Sequence, residues 1–411
     1  MKGISRTFCV VALAVIAACS PKPPEVAVDQ AAVLYRAAQE ACAQGDHTGT
    51  AGLEQAIQAC TTVIESGTAP VADINAALKT RAGLYASGAK YDDAIRDYTA
   101  AIRGDPRDAA TRSMLGDAYR HIGKCDLAVP AYDQAIRLNP KLVDALEGRG
   151  DAFMCVNNYA KAIADYDEAI LLAPRLAELY VKRGNADAQS GDSAQAITDF
   201  STAIQLRPRD SGAYMARGEI YLAQAQYDAA LQDFDNAQRL SPRNPDTFYR
   251  RGLVHLGQQD YDAAIQDLDR AVQLAPKLAD AFDARGIAYL RENDYDKAID
   301  DDSRAIRLNP AFATAYAHRA NVYSQKGDYE RAVQDYSQAI RLDPRFVGAI
   351  IGRGDAYLNR GQYDLAMQDY DRVVQLDPTN QQVLRNRRQA RLEKAKQDSA
   401  RALSIEANVP K

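Results

Sequence analysis

The chain reads as an all-α protein built from stacked helix-turn-helix units, and three observations predict it. Nine prolines, Pro106, Pro140, Pro174, Pro208, Pro242, Pro276, Pro310, Pro344 and Pro378, are each thirty-four residues apart. Each thirty-four-residue interval holds two runs with apolar or small residues at helical spacing, parted by a short turn such as QQDY or QKGDY. One position is alanine in every interval. An internal period of this length is the signature of a repeat array rather than of globular domains.

Proline closes each unit because it lacks a donor N–H and biases its predecessor away from helix. Counting from thirty-one residues before each proline, nine repeats run from Asn75 to Asn380 with no insertion. Position twenty is Ala94, Ala128, Ala162, Ala196, Ala230, Ala264, Ala298, Ala332 and Ala366. Position eight is Gly or Ala, and position twenty-seven is Ala in eight repeats. Small side chains let helix axes approach, and aromatic residues such as Tyr98, Tyr132, Tyr166, Phe200, Phe234, Tyr336 and Tyr370 fill the space beside them.

This pattern resembles the tetratricopeptide repeat, whose signature has Gly, Tyr, Ala, an aromatic, Ala and Pro at these places. The resemblance covers about three quarters of the chain, residues 75–380. It implies an α/α superhelical solenoid of helix-turn-helix hairpins, with a concave groove that binds extended peptides or partner helices. A single hairpin is too small to bury its own face, so neighbours stabilise one another.

The ends depart from the pattern. Residues 31–74 hold a degenerate hairpin, in which Ala31 to Ala43 could form a first helix. AIQACTTVIESG, from Ala56, imitates later second helices, and GDHTGTAG replaces the tight turn. Residues 381–403 read as one helix rich in Arg and Lys that caps the last apolar interface, with a tail at 404–411.

Ahead of the repeats, Lys2 and Arg6 precede an apolar stretch from Phe8 to Ala18. Eleven helical residues rise only about 16 Å, short of a roughly 30 Å hydrocarbon core, so residues 1–18 read as a signal peptide. Ile16-Ala17-Ala18-Cys19 resembles the lipobox of bacterial lipoproteins, which implies cleavage before Cys19, lipidation of its thiol and attachment to a membrane. Ser20 is not the aspartate that retains such lipoproteins at the inner membrane, so the resemblance implies the periplasmic face of the outer membrane. Ordinary cleavage near Ala18 would instead leave a soluble periplasmic or secreted protein. The Pro-rich segment 19–30 suits a stiff tether.

Composition excludes several function classes. The chain is 47% hydrophobic and 26% charged with a net charge of −5, which argues for a folded protein without general affinity for nucleic acid. The four histidines are scattered, no HExxH or paired CxxC occurs, and no glycine-rich phosphate loop joins a strand to a helix. No catalytic residue, cofactor or metal is expected. The RGD tripeptides at Arg149 and Arg353 fall at inner helical positions, not in an adhesion loop.

Four cysteines would remain after processing. Cys42 and Cys60 lie on the two helices of the degenerate hairpin, and Cys125 and Cys155 at adjacent ends of successive helices, so pairings 42–60 and 125–155 are expected, against buried free thiols. Eight repeats carry both Arg at position seven and Asp at position twenty-three, and the remaining one carries neither, having Leu115 and Ala131. Joint loss within one chain points to a pair that touches across the hairpin. Asp187, His255 and Asp302 stand in aromatic slots; local loosening that lets them out to water is expected, an arginine partner being the alternative, with a soft spot at 183–195.

By the resemblance, positions two, five, nine, twelve and thirteen face the concave groove. Early repeats place Asp117, Arg120, Asp144, Glu147 and Asp151 there, whereas later ones place Met215, Leu222, Tyr249, Leu253, Leu256, Ile287, Leu290, Ile351 and Leu358. An apolar, aromatic-containing lining marks a protein- or peptide-binding groove. The expected partner lays an apolar stretch over 215–290 and a basic stretch towards 117–151, unless those residues pack on a neighbouring turn. A non-catalytic scaffold or adaptor of the cell envelope is the expected function; a self-associating module, its groove filled by another copy, is the alternative.

Overall fold

The computed structural model describes residues 50–66 and 69–407, together with Glu40. Every regular element among the described residues is an α-helix. The signal segment, Cys19, the tether, the helix expected over Ala31 to Ala43 apart from Glu40, Cys42 and the last four residues lie outside the described set.

The chain divides into two compact units, at Pro174 and Arg175. The first contains α1 (Thr50–Glu65), α2 (Val71–Ser87), α3 (Tyr91–Gly104), α4 (Ala109–His121), α5 (Cys125–Leu138), α6 (Val143–Cys155) and α7 (Tyr159–Leu172). In the second, α8 (Ala177–Ser190), α9 (Ser193–Leu206), α10 (Ser211–Ala223), α11 (Tyr227–Leu240), α12 (Pro245–Gln258) and α13 (Tyr261–Leu274) come first. They are followed by α14 (Ala279–Arg291), α15 (Tyr295–Leu308), α16 (Ala313–Gln325), α17 (Tyr329–Leu342), α18 (Val347–Asn359), α19 (Tyr363–Leu376) and α20 (Gln381–Ala407). Within each unit every helix packs on the next, which is the α/α solenoid of helix-turn-helix hairpins.

The packing code follows from side-chain size. All nine position-twenty alanines are fully buried, as are the rings of Tyr132, Tyr166, Phe200, Phe234 and Tyr370. A Cβ added at Gly116 would come within 2.7 Å of the Tyr132 ring, and one at Gly150 within 2.6 Å of the Tyr166 ring. Position eight must therefore stay small wherever a ring lies against it.

The turns share one conformation. Position fifteen has positive φ in all nine repeats, at Ala89, Gly123, Asn157, Gly191, Ala225, Gln259, Asn293, Gly327 and Gly361. The next residue caps the second helix where it is Asp or Asn: Asp192 accepts from the Gln195 N–H at 3.0 Å, and Asp260 from Ala263 at 3.1 Å.

Three elements differ from the sequence reading. α1 begins at Thr50, inside the expected Gly/Thr-rich loop, and α2 begins at Val71, ahead of the repeat boundary at Asn75, with Pro70 as its N-cap. α20 runs to Ala407, past residue 403. The expected soft spot is continuous helix on both sides of Gly191, and Asp187 is buried, not let out to water.

Candidate functional site

In eight of the nine repeats an arginine pins the first helix to the second. Arg81, Arg149, Arg183, Arg217, Arg251, Arg285, Arg319 and Arg353 each clasp the aspartate sixteen residues on, through Nε and Nη2, at 2.6–3.2 Å. The eight pairs inferred from joint loss thus touch across their hairpins. Within a unit the remaining guanidinium arm reaches the previous second helix: Arg149 to Asp133 at 2.7 Å, Arg217 to Ser201 at 2.8 Å, Arg285 to Asp269 at 2.6 Å. Sequence reasoning missed this third arm, although position twenty-five is Asp, Ser or Thr throughout.

On that frame the second unit presents the apolar side chains of its first helices. Met215, Leu222, Tyr249, Leu253, Leu256, Ile287 and Leu290 are all half-buried. Met215 and Leu222 pack against the cluster of Ala230, Phe234 and Val254, and the Thr247 hydroxyl donates to the Met215 sulfur at 3.4 Å. Tyr249, Leu253 and Leu256 pack against Phe248, Ala264 and Leu268. Packing on neighbours therefore uses part of each side chain, and the rest remains presented. Leu290 borders a depression of about 390 Å³ shared with Arg291, Asn293, Tyr295, Asn321 and Gln325.

Asp117 and Asp151, expected to meet the basic end of the same partner, belong to the first unit and have internal work. The Tyr132 hydroxyl donates to Asp117 at 2.7 Å, and the Tyr166 hydroxyl to Asp151 at 2.8 Å. Arg120 lies 3.8 Å from Asp117 and 3.7 Å from Asp151. Burial pushes the Asp117 carboxyl up. Charge reversal at Asp151 would disturb Tyr166, so it is no clean probe of a partner. The same bond recurs from Tyr370 to Asp355 at 2.6 Å, a fifteen-residue coupling between the ring slot and position nine that the sequence reading did not anticipate.

The misfit residues behave differently from one another. His255 Nε2 lies 3.6 Å from Asp267, joining the Arg251 pair. Asp302 finds no arginine and stays fully buried; neither its Oδ1 nor its Oδ2 has a hydrogen-bond partner among the described residues. Burial first, and then the charge of Asp283, push its carboxyl well above the usual carboxylate range. Asp283 itself meets His318 Nδ1 at 2.8 Å.

Cys125 and Cys155 have their sulfurs 2.09 Å apart and Cα atoms 6.3 Å apart, at adjoining ends of α5 and α6. Cys60 is buried and disulfide-bonded. Among the described residues no three His, Cys, Asp or Glu side chains converge to hold a metal ion, and no helix is long and apolar enough to cross a membrane.

A tetratricopeptide-repeat sequence profile matches residues 80–141, 113–177, 181–245 and 318–381, more than half of the chain. The chain belongs to the tetratricopeptide-repeat (TPR) family. A second profile of the same description matches 245–278, and one described as TPR repeat matches 286–327. Among functionally curated proteins no sequence matches the chain. Of solved structures, a tetratricopeptide repeat protein from Parabacteroides merdae is 18% identical over 60% of this chain and 98% of its own, with a TM-score of 0.51. The APC/C hetero-tetramer Cut9–Hcn1 gives 17% identity over 82% of this chain and 65% of the other, with a TM-score of 0.50. At such identities the likeness shows the TPR fold alone. As a TPR protein the chain is, in general terms, a protein-interaction scaffold.

Proposed function

We propose that this TPR chain is a non-catalytic adaptor of the bacterial cell envelope that holds a partner protein or peptide on the first helices of its second unit. One observation carries the reading: seven large apolar side chains, Met215 to Leu290, recur on three successive first helices and keep part of their surface presented. Part of each packs on the hairpin core, and the part left presented is apolar surface that a bound segment would remove from water. The arginine clasps hold these helices in place, so the face is preorganised and binding loses little ordering entropy.

The envelope assignment rests on the leader and on Cys19, whose lipidation would tether the scaffold to the periplasmic side of the outer membrane. The Cys125–Cys155 disulfide, and the expected pairing of Cys60 with Cys42, suit that oxidising compartment. In-cell photo-crosslinking from Met215 and Leu290, with identification of the captured segment, tests the reading. Capture of a different protein supports it, whereas capture of this chain alone, with a concentration-independent dimer in sedimentation, establishes the self-associating alternative.

A further inference from the structure

The repeat at 109–142 is the one without an arginine clasp: Leu115 and Ala131 stand where the other eight have Arg and Asp. Leu115 packs instead on the cluster of Ala82, Ala94 and Tyr98 in the repeat before it. The polar ties between α4 and α5, Tyr132 on Asp117 and the exposed Arg112 on Gln134, are single hydrogen bonds rather than a charged fork. Two further features weaken the same hairpin. Pro130 lies inside α5, the only proline past the first turn of a helix among the described residues, and it removes the backbone bond that residue 130 would donate. The buried hydroxyl of Ser113, on α4, has no hydrogen-bond partner among the described residues.

The Cys125–Cys155 disulfide stands at this hairpin. Elsewhere position seventeen meets position thirteen of the next repeat through a ring. Tyr91 stacks on His121 with ring centroids 4.9 Å apart, and a Cβ added at Gly257 would come within 2.6 Å of the Tyr227 ring. Cys125 and Cys155 occupy the same two positions, so a covalent bond ties α5 to α6 in place of an aromatic contact. α4 packs on both α5 and α6, and fixing these two holds the walls between which it lies. Cys155 is exposed and Cys125 is buried. Cys125 is also the first residue of α5, where free N–H groups stabilise a thiolate. An incoming thiolate therefore meets Cys155, and Cys125 is the better leaving group.

We propose that Cys125–Cys155 is a reducible staple that takes the place of the missing clasp, and that a dithiol reductant opens the hairpin at 109–142. A thiolate of the reductant attacks the Cys155 sulfur, a mixed disulfide forms there, and Cys125 leaves as a thiolate that takes up a proton. The second thiolate of the reductant then closes its own disulfide and releases Cys155. Two electrons and two protons thus pass to the protein, and the dithiol is oxidised to a disulfide. With both thiols free, α4 has neither a clasp nor fixed neighbours. The hairpin opens as a local unit, while the repeats at 177–380, each with its Arg–Asp clasp, stay closed. Redox state thereby acts on the first unit, independently of the apolar face on the second.

Hydrogen exchange read by mass spectrometry on the full chain provides the test. It compares wild type, Cys125→Ser/Cys155→Ser, and the same variant carrying Leu115→Arg/Ala131→Asp as well. No reductant is added, so any other disulfide stays intact. Without the staple, amides of α4 and α5 should exchange at least about tenfold faster, with those of 177–380 unchanged. The added pair, whose third arm falls opposite Thr99 at position twenty-five, should recover most of that protection. A second readout serves if the quadruple variant does not fold: wild type pulsed with dithiothreitol and then alkylated. Cys125 and Cys155 should be labelled well before the fully buried Cys60, and 109–142 should then exchange as in the serine variant. Unchanged exchange in α4 and α5 without the staple, or acceleration spread evenly over all repeats, would overturn the proposal. So would a folded quadruple variant no better protected than the serine variant, or labelling of Cys60 first.

Discussion

Arg217 grips Asp233 across its hairpin with Nε–Oδ2 at 2.8 Å and Nη2–Oδ1 at 2.7 Å, while Nη1 reaches Ser201 on the preceding second helix at 2.8 Å. One guanidinium thus ties three helices of successive repeats. Asp233 is only 2% exposed, so removing its partner strands a buried charge. Arg217→Met should cost about 3 kcal/mol in urea denaturation, and Arg217→Met/Asp233→Leu distinctly less. Equal losses would mean that the pair is not coupled.

Position fifteen supplies a stabilising change that looks unfavourable on paper. Ala225 has φ 55° and Gln259 φ 64°, a conformation that L side chains adopt at a cost. Ala225→Gly should raise stability by about 1 kcal/mol, while Gly191→Ala, at φ 95°, should lower it by a similar amount. Shifts in the urea midpoint check both signs.

Asp302 makes stability depend on pH. Its neutral form is favoured in the folded chain, by burial and then by Asp283, with Asp301 and Asp335 adding and Arg319 opposing. The unfolded carboxyl ionises near pH 4, so folding holds a proton that unfolding releases, and stability is lost as pH rises above that value. Asp302→Asn removes the effect. The variant's advantage in urea midpoint should grow from pH 4 to pH 7.5; a constant difference would mean that Asp302 is ionised in the fold.

Lipidation predicts location. Cys19→Ser should release the protein from membranes into the soluble fraction, because one acyl-bearing residue is the only tether expected from the sequence. An unmodified N-terminus in a wild-type protein that already fractionates as soluble would end the lipoprotein reading.

What could be read from the sequence was whatever recurs at one position. The proline period, the position-twenty alanines and the Arg–Asp pairs declare themselves because each copy checks the others, and the lone exception at Leu115 and Ala131 identified the pairing. Less visible were contacts between different positions on different helices: the guanidinium arm to Ser201 or Asp269, and the hydroxyl of Tyr132 on Asp117. Those depend on how far a side chain reaches between packed helices, which spacing alone does not state. The fate of Asp302 was misjudged for a related reason. Tightly packed neighbours, Gly286 included, keep the carboxyl buried, with its neutral form favoured, where loosening was expected.

The most direct test of the scaffold reading is photo-crosslinking yield in cells from a reactive residue placed at Met215 or Leu290, compared between wild type and Tyr249→Ala/Leu253→Ser. Both side chains also pack on Phe248, Ala264 and Leu268, so the double variant should melt lower while keeping its helicity, and it loses the presented apolar surface. The account predicts a discrete crosslinked partner whose yield falls at least about tenfold in the double variant. An undiminished crosslink, or crosslinks that arise only from the opposite face or from α20, would contradict it.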